Sequence, residues 1–254
     1  MLSVGKFSSR ATAAPAFFRV AETVLRELGG KGVDLAKSDT RRTTCYLDTS
    51  ANLLRANGFV LRIREEAEED DKSSVTLKYR GFDRYVSSAA DLRCAMKASY
   101  KLEEDVLPAF VSRFSHSVKR ETKHIPTFST FAEVVGLFPG LKKLGIDGDE
   151  PLTAVNGFFA LEIGRKATLG LGDELESAAS VSFWYDRFET NLLAAEFAFD
   201  YPARRAKGSR LEQFDVDLVQ AANNFFAAIQ AHAEWFDFNG TTKTAFAYHH
   251  SQGS

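Results

Sequence analysis

From Phe59 to Arg64 the chain alternates without a break, with Phe59, Leu61 and Ile63 apolar and Val60, Arg62 and Arg64 between them. Successive side chains of a strand point to opposite faces, so the run predicts a strand over Gly58 to Glu65 with one apolar face and one cationic face. Ser74 to Arg80 repeats the pattern, with Val75, Leu77 and Tyr79 on one side and Thr76, Lys78 and Arg80 on the other. Between the two runs, Glu65 to Asp71 holds six acids in seven residues, which reads as a solvated hairpin loop. Neighbouring strands of a hairpin share their faces, so Arg62 and Arg64 stand beside Lys78 and Arg80.

Four cations on one face repel one another. On an open sheet water screens that repulsion, and Glu65, Glu66 and Glu68 would balance it. In the interior of a closed sheet the same cations are costly unless an anion or carboxylates compensate them, so an interior position implies a ligand. Arg suits phosphate through its planar fork of donors, and Lys adds a compact charge.

The remainder of the chain reads as α+β. Phe17, Val20, Val24, Leu25 and Leu28 fall on one helical stripe after Pro15, and Gly29-Gly30 ends it. Extended segments are expected at Thr43 to Asp48, Tyr100 to Val106, Phe158 to Leu169, Ala179 to Phe188 and Leu193 to Tyr201. Leu107 to Leu144, with Pro126, Pro139 and Gly140, suggests short helices and turns. Arg210 to Trp235 reads as a long helix, with Leu211, Phe214, Leu218, Ala222, Phe225 and Ile229 at helical spacing. No repeat or long linker interrupts the 254 residues. The expectation is a single domain over 1–254 built on one antiparallel sheet, with a helical insertion around 107–150.

Composition excludes some functions. With 32 Lys and Arg against 34 Asp and Glu, the formal net charge is -2. The chain therefore lacks the global cationic field that nonspecific nucleic-acid binders use, and any anion site must be local. No apolar run is long enough to cross a bilayer. Cys45 and Cys94 cannot build a disulfide framework and lack zinc-finger spacing, which favours free thiols in a reducing, cytoplasmic compartment. The first 21 residues carry Lys6, Arg10 and Arg19 and no acid, a faint likeness to a mitochondrial presequence that leaves the matrix as the lesser alternative. His116, His124 and His232 have no metal-ligand spacing, and no nucleophile elbow or phosphate loop is present. Cys45 reads as a buried, inert thiol. Trp184 and the pairs Phe158-Phe159 and Phe225-Phe226 read as core.

Tyr46-Leu47-Asp48-Thr49, Leu61-Arg62-Ile63-Arg64 and Val75-Thr76-Leu77-Lys78 resemble successive motifs of the CYTH domain, or triphosphate tunnel metalloenzyme, superfamily. Lys101-Leu102-Glu103-Glu104, Arg165-Lys166, Val181 to Arg187 and Ala195 to Asp200 continue the resemblance more weakly. It implies an eight-stranded antiparallel β-barrel, the tunnel, with flanking helices. Its cations would hold a triphosphate or inorganic polyphosphate, here Arg62, Arg64, Lys78, Arg80, Arg165 and Lys6. Its carboxylates would bind Mg²⁺ or Mn²⁺, here Glu103, Glu196 and Asp200, with Glu103 and Glu196 orienting the attacking water. The chain departs from the family in two places. Leu2-Ser3-Val4-Gly5-Lys6 stands where the family reads Glu-x-Glu-x-Lys, and Ala198 stands where a second late carboxylate is expected. The resemblance thus implies a metal-dependent phosphohydrolase acting on triphosphates, or a noncatalytic polyphosphate-binding module derived from one.

Overall fold

The computed structural model describes residues 1–7, 9–67, 72–173, 175–201, 204–205, 212–213 and 215–250. Among them, eight strands form an antiparallel sheet: β1 (Gly32–Asp48), β2 (Phe59–Glu66), β3 (Ser73–Gly81), β4 (Ser99–Leu107), β5 (Val111–Thr122), β6 (Thr153–Gly172), β7 (Leu175–Tyr185) and β8 (Leu192–Asp200). Hydrogen bonds order them β4-β5-β3-β2-β1-β6-β7-β8. The flanking α-helices are α1 (Arg10–Glu27), α2 (Leu53–Ala56), α3 (Arg84–Ala89), α4 (Phe131–Leu137), α5 (Val216–Ile229) and α6 (Lys243–His249). The α+β class and the eight-stranded antiparallel sheet agree with the sequence-based expectation. The chain divides into two compact units, Met1–Thr40 with Glu162–Thr241, and Arg41–Leu161 with Thr242–Ser254.

The first unit is built on aromatic packing. Ala13, Ala14, Phe17, Phe18, Ala21, Val24 and Leu25 are the buried residues of α1, and their spacing of three and four makes one stripe. Phe17 is fully buried, with ring centroids 5.0 Å from Phe197 and 5.7 Å from Trp235. Burying one such side chain stabilises by about 1.5–3 kcal/mol. The helix starts at Arg10, earlier than the sequence predicts, and holds Pro15 within it. Proline there removes one helical hydrogen bond, but the burial of Ala13 and Ala14 on the Phe17 stripe fixes the turn before it. At the other end Gly30 is required by a close approach: a Cβ would sit 2.6 Å from the Gly170 carbonyl oxygen. α5 starts at Val216, where Asp215 accepts hydrogen bonds from the Asp217 and Leu218 amides. The expected Leu211 and Phe214 lie outside the described residues.

The second unit holds the alternating strands. Their apolar face, Cys45, Leu47, Leu61, Ile63, Val75, Leu77 and Val118, packs with Phe131 and Val134 of α4 and with Phe138, Leu141 and Leu152. α4 starts at a capping box in which Thr130 and Glu133 satisfy each other's backbone. Within residues 107–150, the helical structure is α4 and the short 3₁₀ turns Pro108–Phe110 and Pro139–Leu144. Much of this range is β5, where the sequence predicts short helices and turns. Its alternation is hard to see because the buried residues of one face are the serines 115 and 117. β1 likewise starts at Gly32 rather than Thr43, since Val33 and Leu35 pack on the first unit's core while Asp34, Lys37 and Asp39 interrupt the apolar pattern. The tip of the acidic loop, residues 68–71, lies outside the described residues.

A buried carboxylate ties the C-terminal helix to this unit. Asp48, 1% exposed, accepts hydrogen bonds from the amides of Thr49, Leu54 and Arg55 at 2.8, 2.8 and 3.0 Å. Its fourth donor is the Tyr248 hydroxyl at 2.8 Å. The Arg55 guanidinium lies 4.4 Å from the centre of the Tyr248 ring, and Asn156 donates to the Ala247 and Tyr248 carbonyls.

Candidate functional site

Opposite the apolar face of the second unit's strands, polar residues stand in rows set by strand register. Tyr46 pairs with Arg62, Arg62 with Thr76, and Thr76 with Lys119. The next row runs Val60, Lys78, Ser117, Lys101, and the one after it Arg80, Ser115, Glu103. Arg64 lies on the other side of Arg62, between Thr44 and Ser74. Strand alternation thus brings Arg62, Arg64, Lys78 and Arg80 to one face, all of them half-buried.

A carboxylate of β4 answers one of these cations. Glu103 is held from both sides: Lys78 Nζ is 3.3 Å from Oε2, and Lys101 Nζ is 2.7 Å from Oε1. Burial opposes ionisation of Glu103, but Lys78 and Lys101 together hold its carboxyl below the ordinary value of 4.5. Burial is the main reason the Lys78 ammonium is less basic than an ordinary lysine. Asp105 and Glu103 oppose that shift, while Arg80 and Arg62 add to it. Arg64 Nε donates to Thr44 Oγ1 at 3.3 Å. Arg80 Nε is buried and has no hydrogen-bond partner among the described residues. A buried guanidinium donor without an acceptor is costly in a folded protein, and an incoming anion would satisfy it.

The other expected site residues lie in the first unit. Arg165 forms a short ion pair with Asp39, which Arg10 also approaches at 3.8 Å. Lys6 is exposed, 5.9 Å from the centre of the Trp235 ring. Glu196 pairs with Ser182 across β7 and β8, and Asp200, exposed, pairs with Ala178. Among the described residues, no group of three or more His, Cys, Asp or Glu side chains could hold a metal ion. Both oxygens of Glu103 face lysines, whereas Mg²⁺ or Mn²⁺ would require them in a shell of oxygens. Cys45 is buried and its thiol is pushed up to about 11, chiefly by burial, which makes it inert as a nucleophile.

Two residues of this face escape sequence reading. Asp105 belongs to the period-two series Lys101, Glu103, Asp105 on β4, a signal present in the sequence and readable once Glu103 is singled out. Ser115 carries no charge and gives no such signal; register alone places it between Arg80 and Glu103.

No family model matches the chain, and no curated protein matches it. Among solved structures it is similar to HpAC1 from Hippeastrum, a proposed adenylyl cyclase described as revealing a dominant triphosphatase activity. The identity is 12%, the match covers 91% of this chain and 89% of that one, and the TM-score is 0.41.

Proposed function

We propose that the polar sheet face of the second unit binds a triphosphate-type anion, either inorganic polyphosphate or a triphosphate-bearing small molecule, on Arg62, Arg64, Lys78 and Arg80. The observation that carries this reading is the buried, unpartnered Arg80 Nε in the row next to Lys78, an ammonium already crowded by like charge. A chain of phosphates brings several negative charges and many acceptor oxygens to cations spaced along two strands. It would replace Glu103 at Lys78 and supply the acceptor that Arg80 lacks. Binding is the level of function that the residues support, because the carboxylate best placed to orient a metal or a water is engaged with two lysines.

The test is calorimetry of tripolyphosphate with the whole chain in low-salt buffer containing a chelator. The expected result is binding that weakens with added salt and is weaker in Arg80→Ala and Lys78→Ala. Absence of binding at low salt refutes the proposal. Phosphate release from tripolyphosphate and ATP, followed in parallel with Mg²⁺ and with Mn²⁺, decides between the two functions. Turnover that falls in Arg62→Ala and Lys78→Ala would extend binding to phosphohydrolysis, with Glu103 and Glu196 as the residues to examine next.

A further inference from the structure

Ser115 is 1% exposed, and its Oγ has no hydrogen-bond partner among the described residues. Two residues along β5, Ser117 gives its hydroxyl to the Lys101 carbonyl at 3.4 Å. Local backbone geometry therefore supplies an acceptor to one serine of this face and not to the other. The register partner of Ser115 on β3 is Arg80, whose Nε is also buried without a partner. Its partner on β4 is Glu103, whose two oxygens lie against Lys78 and Lys101. Buried polar atoms without partners are rare, and two donors of this kind on facing residues of paired strands point to a shared missing acceptor.

We propose that Ser115 is a ligand-binding residue of the anion site. Its Oγ–H and the Arg80 Nε–H donate to one non-bridging oxygen of the bound phosphate chain, an atom with lone pairs enough for both. This rests on the anion-binding function proposed above and adds a neutral donor to a set of cations. The neutral character has a reason in the site itself. A lysine or arginine at this position would close onto Glu103, as Lys78 and Lys101 do, whereas a hydroxyl without charge stays available to the ligand.

Ser115→Ala separates a ligand role from a structural one. Without ligand, the substitution removes an unsatisfied hydroxyl, so the melting temperature of the free protein is expected to stay level or rise. Tripolyphosphate affinity, measured by calorimetry with chelator, is expected to fall about tenfold, the loss typical of a hydrogen bond to a charged group. The salt dependence of binding should keep its wild-type slope, because no charge is removed, while Arg80→Ala flattens it. Affinity within about twofold of wild type overturns the assignment and leaves anion binding standing. A lowered melting temperature in the free variant also overturns it, since the hydroxyl would then serve the fold. If the wild type itself binds no tripolyphosphate, the underlying function fails and the assignment with it.

Discussion

Glu103→Gln gives a sharp test of how the site is balanced. The carboxylate lies 3.3 Å from Lys78 Nζ, and the two side chains are 28% and 19% exposed. At an effective dielectric of about 20, unit charges at that distance attract by about 5 kcal/mol before solvation is counted. Both groups lose hydration in the pair and remain partly open to water, which leaves a net of about 1–2 kcal/mol. The Lys101 contact adds little, because that side chain is 62% exposed. An anion that takes the place of Glu103 must overcome this pairing. Glu103→Gln, which keeps the shape and removes the charge, should therefore tighten metal-free tripolyphosphate binding about tenfold. Calorimetry with chelator reads the change, and combining Glu103→Gln with Lys78→Met shows its route. If the carboxylate acts by occupying Lys78, the gain vanishes in the Lys78→Met background; a general charge effect would survive there. Unchanged or weaker binding in Glu103→Gln refutes the competition and returns Glu103 to consideration as a metal ligand.

Two further outcomes follow from groups with well-defined partners. The charged form of Lys78 is disfavoured in the folded chain, so its destabilising contribution is present at neutral pH and is relieved as pH rises from its folded value toward 10.5. Loss of that charge should make tripolyphosphate affinity fall at a pH below the ordinary lysine range, and Lys78→Arg should flatten the fall; an alkaline limb identical in both proteins sinks the reasoning. In Tyr248→Phe, buried Asp48 loses one of its four donors, which should cost about 2 kcal/mol and lower the melting temperature by several degrees, while the Arg55 stacking remains. An unchanged melting curve would mean that the hydroxyl bond contributes nothing.

The parts of the fold that sequence made legible are those in which a single physical rule dominates. β2 and β3 alternate cleanly because one face meets an apolar core and the other does not, so the alternation alone puts Arg62, Arg64, Lys78 and Arg80 together on one face. β5 was harder because its buried serines, 115 and 117, carry little hydrophobic signal. The early start of α1 was harder because proline's local preference argues against it, and tertiary burial of Ala13 and Ala14 overrides that preference. Within the site, charge could be read and pairing could not. Glu103 is conspicuous on β4, but only register shows that lysines on two strands take both of its oxygens, and that Ser115 stands beside it with no acceptor.

The bond between Asp48 and Tyr248 joins residues 200 positions apart. On a ribosome, every residue of the first unit, through Thr241, is synthesised before the hydroxyl that completes the Asp48 cluster exists. The second unit contributes the earlier strands, yet it is the last to acquire all of its partners. The fourth donor to Asp48 is thus available only once the chain has been made as far as Tyr248, so this hydrogen-bond cluster is completed late in synthesis.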